Sequence, residues 1–131
     1  MKISTKGQYA VRLMVDLAKS DNVTPLNIIA SNQQISVKYL EQIVSMLTKA
    51  KLLESSRGHT GGYKLTKPAC QISIKDILQV TGDTCCLAPC VGGKCERSGK
   101  CYAMSVWNNL GELIDDYLSK ISLQDLIDKN I

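Results

Sequence analysis

The sequence lacks the features that would place the protein in a membrane or outside the cell. It contains no apolar run approaching the roughly 20 residues that a membrane-spanning helix requires. Its N-terminal stretch has Arg12 and Asp16 among the apolar residues and no small-residue cleavage site, unlike a secretory signal. We therefore expect a cytoplasmic protein with no membrane partner.

Histidine is nearly absent, which argues against cysteine-based catalysis. A nucleophilic cysteine is activated by an adjacent general base, commonly a histidine. The sole histidine, His59, lies in a predicted hairpin and is distant in sequence from the cysteines clustered at 85–101. We therefore expect a protein that is not an enzyme.

The sequence does contain an ordinary apolar fraction and an uneven distribution of charge. Hydrophobic residues make up 44% and charged residues 21% of the 131 positions, as in a globular domain with its own core. Residues 1–67 carry a net charge of +6, whereas residues 68–131 carry −2. The basic half predicts an anionic partner, of which nucleic acid is the commonest; a solvated basic face is the alternative.

Apolar residues recur at three- and four-residue steps through the first half of the chain, which predicts helices. One covers residues 9–18, a second begins at Pro25 with Thr24 as its N-cap, and a third begins after Ser36. The last two are separated by a short polar run with Gln33 and Gln34 in place of the usual turn glycine. This arrangement predicts a helix-turn-helix.

Two short strands, 52–56 and 63–66, flank a glycine-containing segment and predict a hairpin, the wing of a winged-helix domain. The predicted fold is therefore mainly α with a small β-hairpin wing. The predicted organisation is a winged helix-turn-helix domain at 1–82, a cysteine-rich loop at 83–101, and a dimerisation helix with a C-terminal helix at 102–131.

A long apolar stripe with heptad-like spacing predicts a helix from about 102 to 120. Because a small winged-helix body cannot cover a stripe of this length, we expect two copies of the chain to pair along it. The alternative is that the helix packs wholly within its own chain.

Five of the six cysteines lie between Cys85 and Cys101. The gaps from Cys86 through Cys90 and Cys95 to Cys101 widen from three to four to five residues, unlike the tight paired knuckles of zinc sites. Such spacing favours an iron–sulfur cluster held by thiolates, with zinc binding or a bare thiol switch as alternatives. Cys70 stands apart, and we expect it to be a small buried hydrophobic residue.

Several segments together resemble the IscR-like family of iron–sulfur cluster-binding winged-helix transcription regulators. These segments are KISTKGQYAVRLMVDLA, ISVKYLEQIVSMLTKAKLLESSRG, GGYKL, and the cysteine loop followed by a Trp-bearing helix. The resemblance extends over residues 1–127. It implies a homodimer that binds palindromic double-stranded DNA, with the recognition helix in the major groove and the wing at the backbone or minor groove.

The resemblance also implies which residues contact DNA. They are Ser4, Lys6 and Tyr9 at the first helix, Ser36, Lys38, Tyr39, Glu41 and Gln42 in the recognition helix, and Arg57 and His59 in the wing. Their chemistry suits the role, because Gln reads adenine edges, Glu accepts from cytosine N4, and Lys and Tyr hold phosphate. Tyr39 adjoins the core residue Leu40, so packing is its alternative role.

Cys90, Cys95 and Cys101 match the three cluster ligands of the family. Met104 stands where 2Fe–2S members of the family supply a histidine. Cys86 or Cys85 can take the vacant position, and we favour Cys86. A 2Fe–2S cluster is the favoured cofactor, with 4Fe–4S as the alternative.

The predicted function is a repressor whose DNA affinity depends on an iron–sulfur cluster. By resemblance, its target genes serve cluster biogenesis or cysteine-sulfur supply. The alternatives of the same fold are a nitric-oxide or redox sensor and a cluster-free repressor regulated by thiols or zinc.

Overall fold

The computed structural model describes residues 2–59, 61–83, 87–88, 90–91 and 95–131. Within these residues the chain forms six α-helices and one antiparallel hairpin, as the winged helix-turn-helix prediction requires. In chain order they are α1 (Thr5–Ala18), α2 (Leu26–Gln33), α3 (Val37–Lys49), β1 (Leu53–Ser56), β2 (Gly62–Leu65), a 3-10 turn (Ala69–Gln71), α4 (Ile74–Val80), α5 (Met104–Lys120) and α6 (Leu123–Asp128).

The core forms around α1, which packs against α2, α3, α4, α6 and β2. Its residues Leu13, Met14 and Leu17 lie on one face at helical spacing and are buried. They meet apolar side chains from the other elements, which are also buried: Ile29, Leu40, Ile43, Leu47, Leu53, Ile72, Ile77 and Leu123. The apolar periodicity therefore predicted the core-facing sides of the helices correctly.

The turn between α2 and α3 shows how the chain manages without the usual glycine. Gln34 takes the left-handed conformation, with φ of 54°, and its amide bonds to the carbonyl of Ala30. Ser36 then caps α3, since its hydroxyl accepts a hydrogen bond from the Tyr39 amide at 3.2 Å. The predicted cap of α3 is confirmed.

The predicted cap of α2 is wrong. Pro25 occupies the N-cap position, and α2 begins one residue later. Thr24 is extended instead and pairs with Tyr63, each amide donating to the carbonyl of the other residue at 3.0 and 2.9 Å. This pairing fastens the segment before α2 to the hairpin. Gly62 permits the close approach, because a Cβ there would collide with the Thr24 carbonyl.

The N-termini of α4 and α6 meet in a short antiparallel pairing. The Ile74 amide donates to the Ile121 carbonyl at 2.9 Å, and the Leu123 amide to the Ile72 carbonyl at 3.0 Å. Each helix begins with a local capping box, formed by a serine and the aspartate three residues later. In α6, hydrogen bonds from the Ser122 amide and hydroxyl lower the pKa of Asp125.

Cys70 lies in the 3-10 turn that precedes this pairing, and it is exposed. The expectation of a buried residue is therefore wrong. Ile72, which directly follows the turn, is buried in the core, whereas Cys70 within the turn lies on the surface.

The long helix α5 is only partly covered by its own chain. All of its residues are described and none is buried, and Leu113 is 65% and Tyr117 58% exposed. Its C-terminal end is attached to the body through Leu118, which packs on the core, and through an ion pair of 3.3 Å between Lys75 and Asp115. The alternative in which this helix packs wholly within its own chain is wrong. No helix among the described residues is long and apolar enough to cross a membrane.

Candidate nucleic-acid interface and cysteine segment

Helix α3, the predicted recognition helix, has one apolar side and one polar side. Leu40, Ile43 and Val44 are buried, whereas Lys38, Glu41 and Gln42 are exposed. Ser36, at the start of the helix, is exposed as well, with its hydroxyl oxygen engaged by the Tyr39 amide. The polar side therefore presents an ammonium, a carboxylate and an amide, the groups that read base edges and phosphates in a major groove.

Tyr9 of α1 and Tyr39 of α3 come together where the two helices meet. Their ring centroids lie 5.6 Å apart with planes at 86°, the edge-to-face arrangement that aromatic pairs prefer. Both rings are half-buried and pack against the core. The packing role considered for Tyr39 is therefore present, and the pair joins the first helix to the recognition helix.

Arg12 strengthens the same junction and was not identified from the sequence as a site residue. Its guanidinium donates to the Gln33 side-chain oxygen at 2.9 Å and to the Gln33 carbonyl at 2.6 Å, and its Cζ lies 5.3 Å from the Tyr9 ring centroid. Gln33 is the last residue of α2. Arg12 therefore connects α1 to the turn that leads into the recognition helix.

Ser4 caps α1 and binds a distant carboxylate. Its hydroxyl accepts from the Gly7 amide at 2.9 Å and donates to Asp83 Oδ2 at 2.7 Å, while its own amide donates to Asp83 Oδ1 at 2.8 Å. Lys6, in the first turn, is half-buried. The Ser4 hydroxyl is thus engaged within the chain, in the segment expected to face phosphate.

Asp83 is a second residue that sequence reasoning missed. Partial burial alone would raise its pKa, but hydrogen bonds from Ser4 and Thr81 and the charge of Lys6 together lower the pKa below its ordinary value. Asp83 and Ser4 are 79 positions apart. The one sequence feature that indicates a distant acidic partner for Ser4 is the lack of an acidic residue in the first turn of α1.

The wing presents Arg57 and His59, both exposed. Gly58 between them has φ of 112°, a conformation that glycine adopts without strain. Lys64, which follows in β2, pairs across the hairpin with Glu54 at 3.2 Å. Among the described residues of the wing, Arg57 is the exposed cation that lies nearest in sequence to the hairpin tip.

Three of the four predicted cluster ligands lie within the described residues. Cys90, Cys95 and Cys101 are half-buried and carry free thiols. Cys86, the favoured fourth ligand, and Cys85 lie outside the described residues. Met104 is half-buried at the first position of α5. Across the described ranges, no three histidine, cysteine or acidic side chains are grouped closely enough to hold a metal ion.

The donor chemistry of this segment nevertheless suits an iron–sulfur cluster. Cysteine thiolates are the normal ligands of such clusters. Residues 90–101 supply three free cysteines and contain no histidine. Its local backbone bonds, from Ser98 to Cys95 and from Lys100 to Arg97, form turns. Thiols on turns can converge on a bound group without disrupting a helix or a strand.

Comparison with known proteins agrees with this architecture. Residues 3–129 match the Rrf2 family, described as iron-dependent transcriptional regulators. The transcriptional regulator IscR of Vibrio campbellii is 38% identical over 133 aligned positions, which cover 99% of this chain and 79% of that protein.

Solved structures of regulators also superpose on the whole chain. CymR, the global cysteine regulator of B. subtilis, is 31% identical with a TM-score of 0.84, over 100% of this chain and 99% of that one. IscR of T. potens is 34% identical with a TM-score of 0.79, over 100% of this chain and 89% of that one. The relatives are transcription regulators and not enzymes, as the scarcity of histidine predicted. The chain belongs to the Rrf2 family of winged helix-turn-helix transcription regulators.

Proposed function

We propose that the protein is a cytoplasmic, homodimeric repressor that binds palindromic DNA and responds to an iron–sulfur cluster held by its cysteine segment. The observation that carries the DNA-binding part is the exposed polar side of α3, on which Lys38, Glu41 and Gln42 project from a rigid, buried base. Relatives named IscR support the cluster. The expected target genes serve cluster biogenesis or cysteine-sulfur supply.

In this proposal α3 lies in the major groove. Gln42 pairs with the N6 and N7 atoms of an adenine, Glu41 accepts from a cytosine N4 amine, and Lys38 binds a phosphate. Arg57 enters a narrow minor groove, whose negative potential attracts a guanidinium. The Tyr9–Tyr39 contact holds α3 against α1, which fixes the tilt at which α3 meets the groove.

Replacing Lys38 by Ala tests this docking. Because Lys38 is exposed, we expect an unchanged thermal midpoint and a weaker DNA affinity. The slope of log K against log salt should fall by about 0.9 for each phosphate contact that is lost. The measurement is a salt titration on a duplex that the wild-type protein has selected from a random pool.

Lys19→Ala is the matched control, because Lys19 is an exposed lysine that follows α1 and lies outside the predicted interface. It should keep the wild-type slope. Equal slopes for Lys38→Ala and the wild type would contradict the docking.

The uncovered apolar side of α5 supports the proposed dimer. Its exposed members are Val106, Trp107, Leu110, Leu113 and Tyr117. Beside them Ile3, Leu113, Ile114 and Tyr117 line an open apolar groove that joins α5 to the start of α1. Exposed apolar area of this kind marks an interaction surface, and a second copy of the helix supplies a matching stripe.

Leu113→Glu tests the dimer. A carboxylate in the middle of an apolar helix interface would have to be buried without a partner, which should split the dimer. We expect sedimentation equilibrium to give twice the chain mass of 14.4 kDa for the wild type and the single mass for the variant.

Ile131→Glu, at an equally exposed apolar position outside the stripe, should remain dimeric. A monomeric wild type, or a dimeric Leu113→Glu variant, would contradict the proposed interface.

We propose four cysteines as cluster ligands, namely Cys90, Cys95, Cys101 and Cys86. The favoured cluster is 2Fe–2S, with 4Fe–4S as the alternative. When bound, the cluster supplies redox- and iron-sensitive chemistry at the segment. The residues themselves contribute the sulfur donors, and Arg97 and Lys100 in the same stretch carry positive charge that would offset the negative charge of a bound cluster. Met104 supplies only a weak thioether sulfur at the position where related proteins place a histidine.

Anaerobic purification followed by iron counting and absorption spectroscopy tests this ligand set. We expect a coloured wild-type protein and loss of iron on changing any of the four cysteines to Ala. Cys70→Ala is the control and should keep the wild-type iron content, because Cys70 is exposed in a different part of the fold. Met104→His should restore iron binding to Cys86→Ala, because it supplies the imidazole that the family uses.

The same preparation separates the second candidate, a repressor regulated by its thiols or by zinc. Two observations favour this candidate over other cluster-free functions. The thiols of Cys90, Cys95 and Cys101 are free, and the chain is similar to CymR, a cysteine regulator. A colourless anaerobic protein that binds zinc but no iron would support it and contradict the cluster. Exposure of a loaded protein to nitric oxide in a DNA-binding assay separates a nitric-oxide sensor from a sensor of cluster supply.

A further inference from the structure

Helix α1 completes its N-terminal cap with a residue from a distant part of the chain. In α4 and α6 the cap is local, because Ser73 pairs with Asp76 and Ser122 with Asp125, each at the third helical position. In α1 the capping serine is Ser4, and the third helical position is a glycine. The carboxylate that binds the Ser4 amide comes instead from Asp83.

The first turn of α1 depends on this carboxylate for its electrostatic balance. The turn reads Thr5-Lys6-Gly7-Gln8 and has no acidic residue, although a helix N-terminus favours negative charge. Lys6 adds a positive charge where the helix dipole already disfavours one. Asp83 supplies the missing negative charge, and its pKa is lowered in the process.

Gly7 makes room for Asp83. A Cβ at this position would collide with the Asp83 carboxylate and also contact Leu78. The third helical position of α1 therefore cannot carry a side chain of its own while Asp83 is seated there. The glycine and the distant aspartate together replace the local aspartate of the other two caps.

Asp83 is itself fixed to the end of α4. Its amide donates to the Leu78 carbonyl at 2.9 Å, and the Thr81 hydroxyl donates to its Oδ2 at 2.7 Å. Gly82, with φ of 83°, turns the chain at this point. The next residue in sequence is position 84, where the cysteine-containing stretch 84–101 begins.

We propose that Asp83 is a positioning residue for DNA binding, which couples the end of α4 to the N-terminus of α1 through the Ser4 cap. The inference rests on the DNA-binding function proposed above, in which Lys6 and Tyr9 face DNA. Loss of the bonds between Asp83 and Ser4 removes this cap from α1. The change passes to α3 through the Tyr9–Tyr39 contact and through Arg12, which binds Gln33.

Two variants test the proposal, with one control variant and one rescue variant beside them. Asp83→Ala removes the carboxylate, and Gly7→Ala displaces it while leaving Asp83 unchanged. Asp125→Ala is the matched control, since it removes the same kind of bonds to a capping serine, Ser122, at the start of α6. Asp83→Asn, which keeps an acceptor oxygen, should restore part of what Asp83→Ala loses.

The first measurement is amide hydrogen exchange of the reduced protein without DNA. We expect Asp83→Ala and Gly7→Ala to raise exchange at the amides of positions 4, 7 and 8 at least ten-fold, and Asp125→Ala to leave these amides unchanged. Unchanged exchange at these three amides in both test variants would overturn the cap as a coupling element.

The second measurement is affinity for the duplex that the wild-type protein selects from a random pool. Removal of a negative charge by itself strengthens binding to DNA. A ten-fold weaker affinity of Asp83→Ala therefore identifies positioning and not charge. Lys6→Ala should cost less affinity in the Asp83→Ala background than in the wild type, and its effect should be additive with Asp125→Ala.

The outcomes separate this inference from the proposed function. If the wild type selects a duplex and Asp83→Ala binds it as tightly, only the positioning role of Asp83 is wrong. If the wild type selects no duplex at all, the proposed function and the positioning role fall together, whatever the exchange data show.

Discussion

Burial of one face of α1 sets how the other elements pack around this helix. Leu13, Met14 and Leu17 bring this helix against most of the other elements, so its orientation is set by the core. Each such side chain contributes roughly 1.5–3 kcal/mol by leaving water, more than a surface ion pair supplies. The polar groups of α1 are therefore placed by a rigid apolar base. Tyr9 contacts Tyr39 and Arg12 binds Gln33, both in the helix-turn-helix. Ser4, which caps α1, binds Asp83 just after α4.

Local features of the fold could be predicted from the sequence because their causes are local. The periodicity of apolar residues identified the faces of α1 and α3, and Ser36 caps the helix that follows it, as predicted. The hairpin was predicted from two short strand patterns on either side of a glycine-containing segment. The prediction of a Thr24 cap failed, because pairing of Thr24 with Tyr63 is a contact between distant segments that outweighs the local preference. Cys70 was misplaced for a similar reason, since the turn that exposes it depends on packing of Ile72.

The candidate site could be predicted in its residue types but not in its connections. Lys38, Glu41 and Gln42 are exposed on α3 because the apolar residues between them are buried, and that pattern is visible in the sequence. Arg12 and Asp83 could not be found in this way. Their partners Gln33 and Ser4 lie 21 and 79 positions away, and no periodicity relates residues at such separations. These two contacts join the parts of the fold that the sequence pattern shows only separately, namely the first helix, the turn and the end of α4.

We propose that iron–sulfur occupancy of the cysteine segment changes the affinity of the protein for DNA. Occupancy can act only if the cluster stabilises one arrangement of the DNA-binding elements over another. The most direct measurement compares one anaerobic preparation before and after removal of its iron by a chelator, titrated against the selected duplex at a fixed salt concentration. We expect an affinity difference of at least about ten-fold, equivalent to about 1.4 kcal/mol. Equal affinities for the loaded and stripped forms would contradict it.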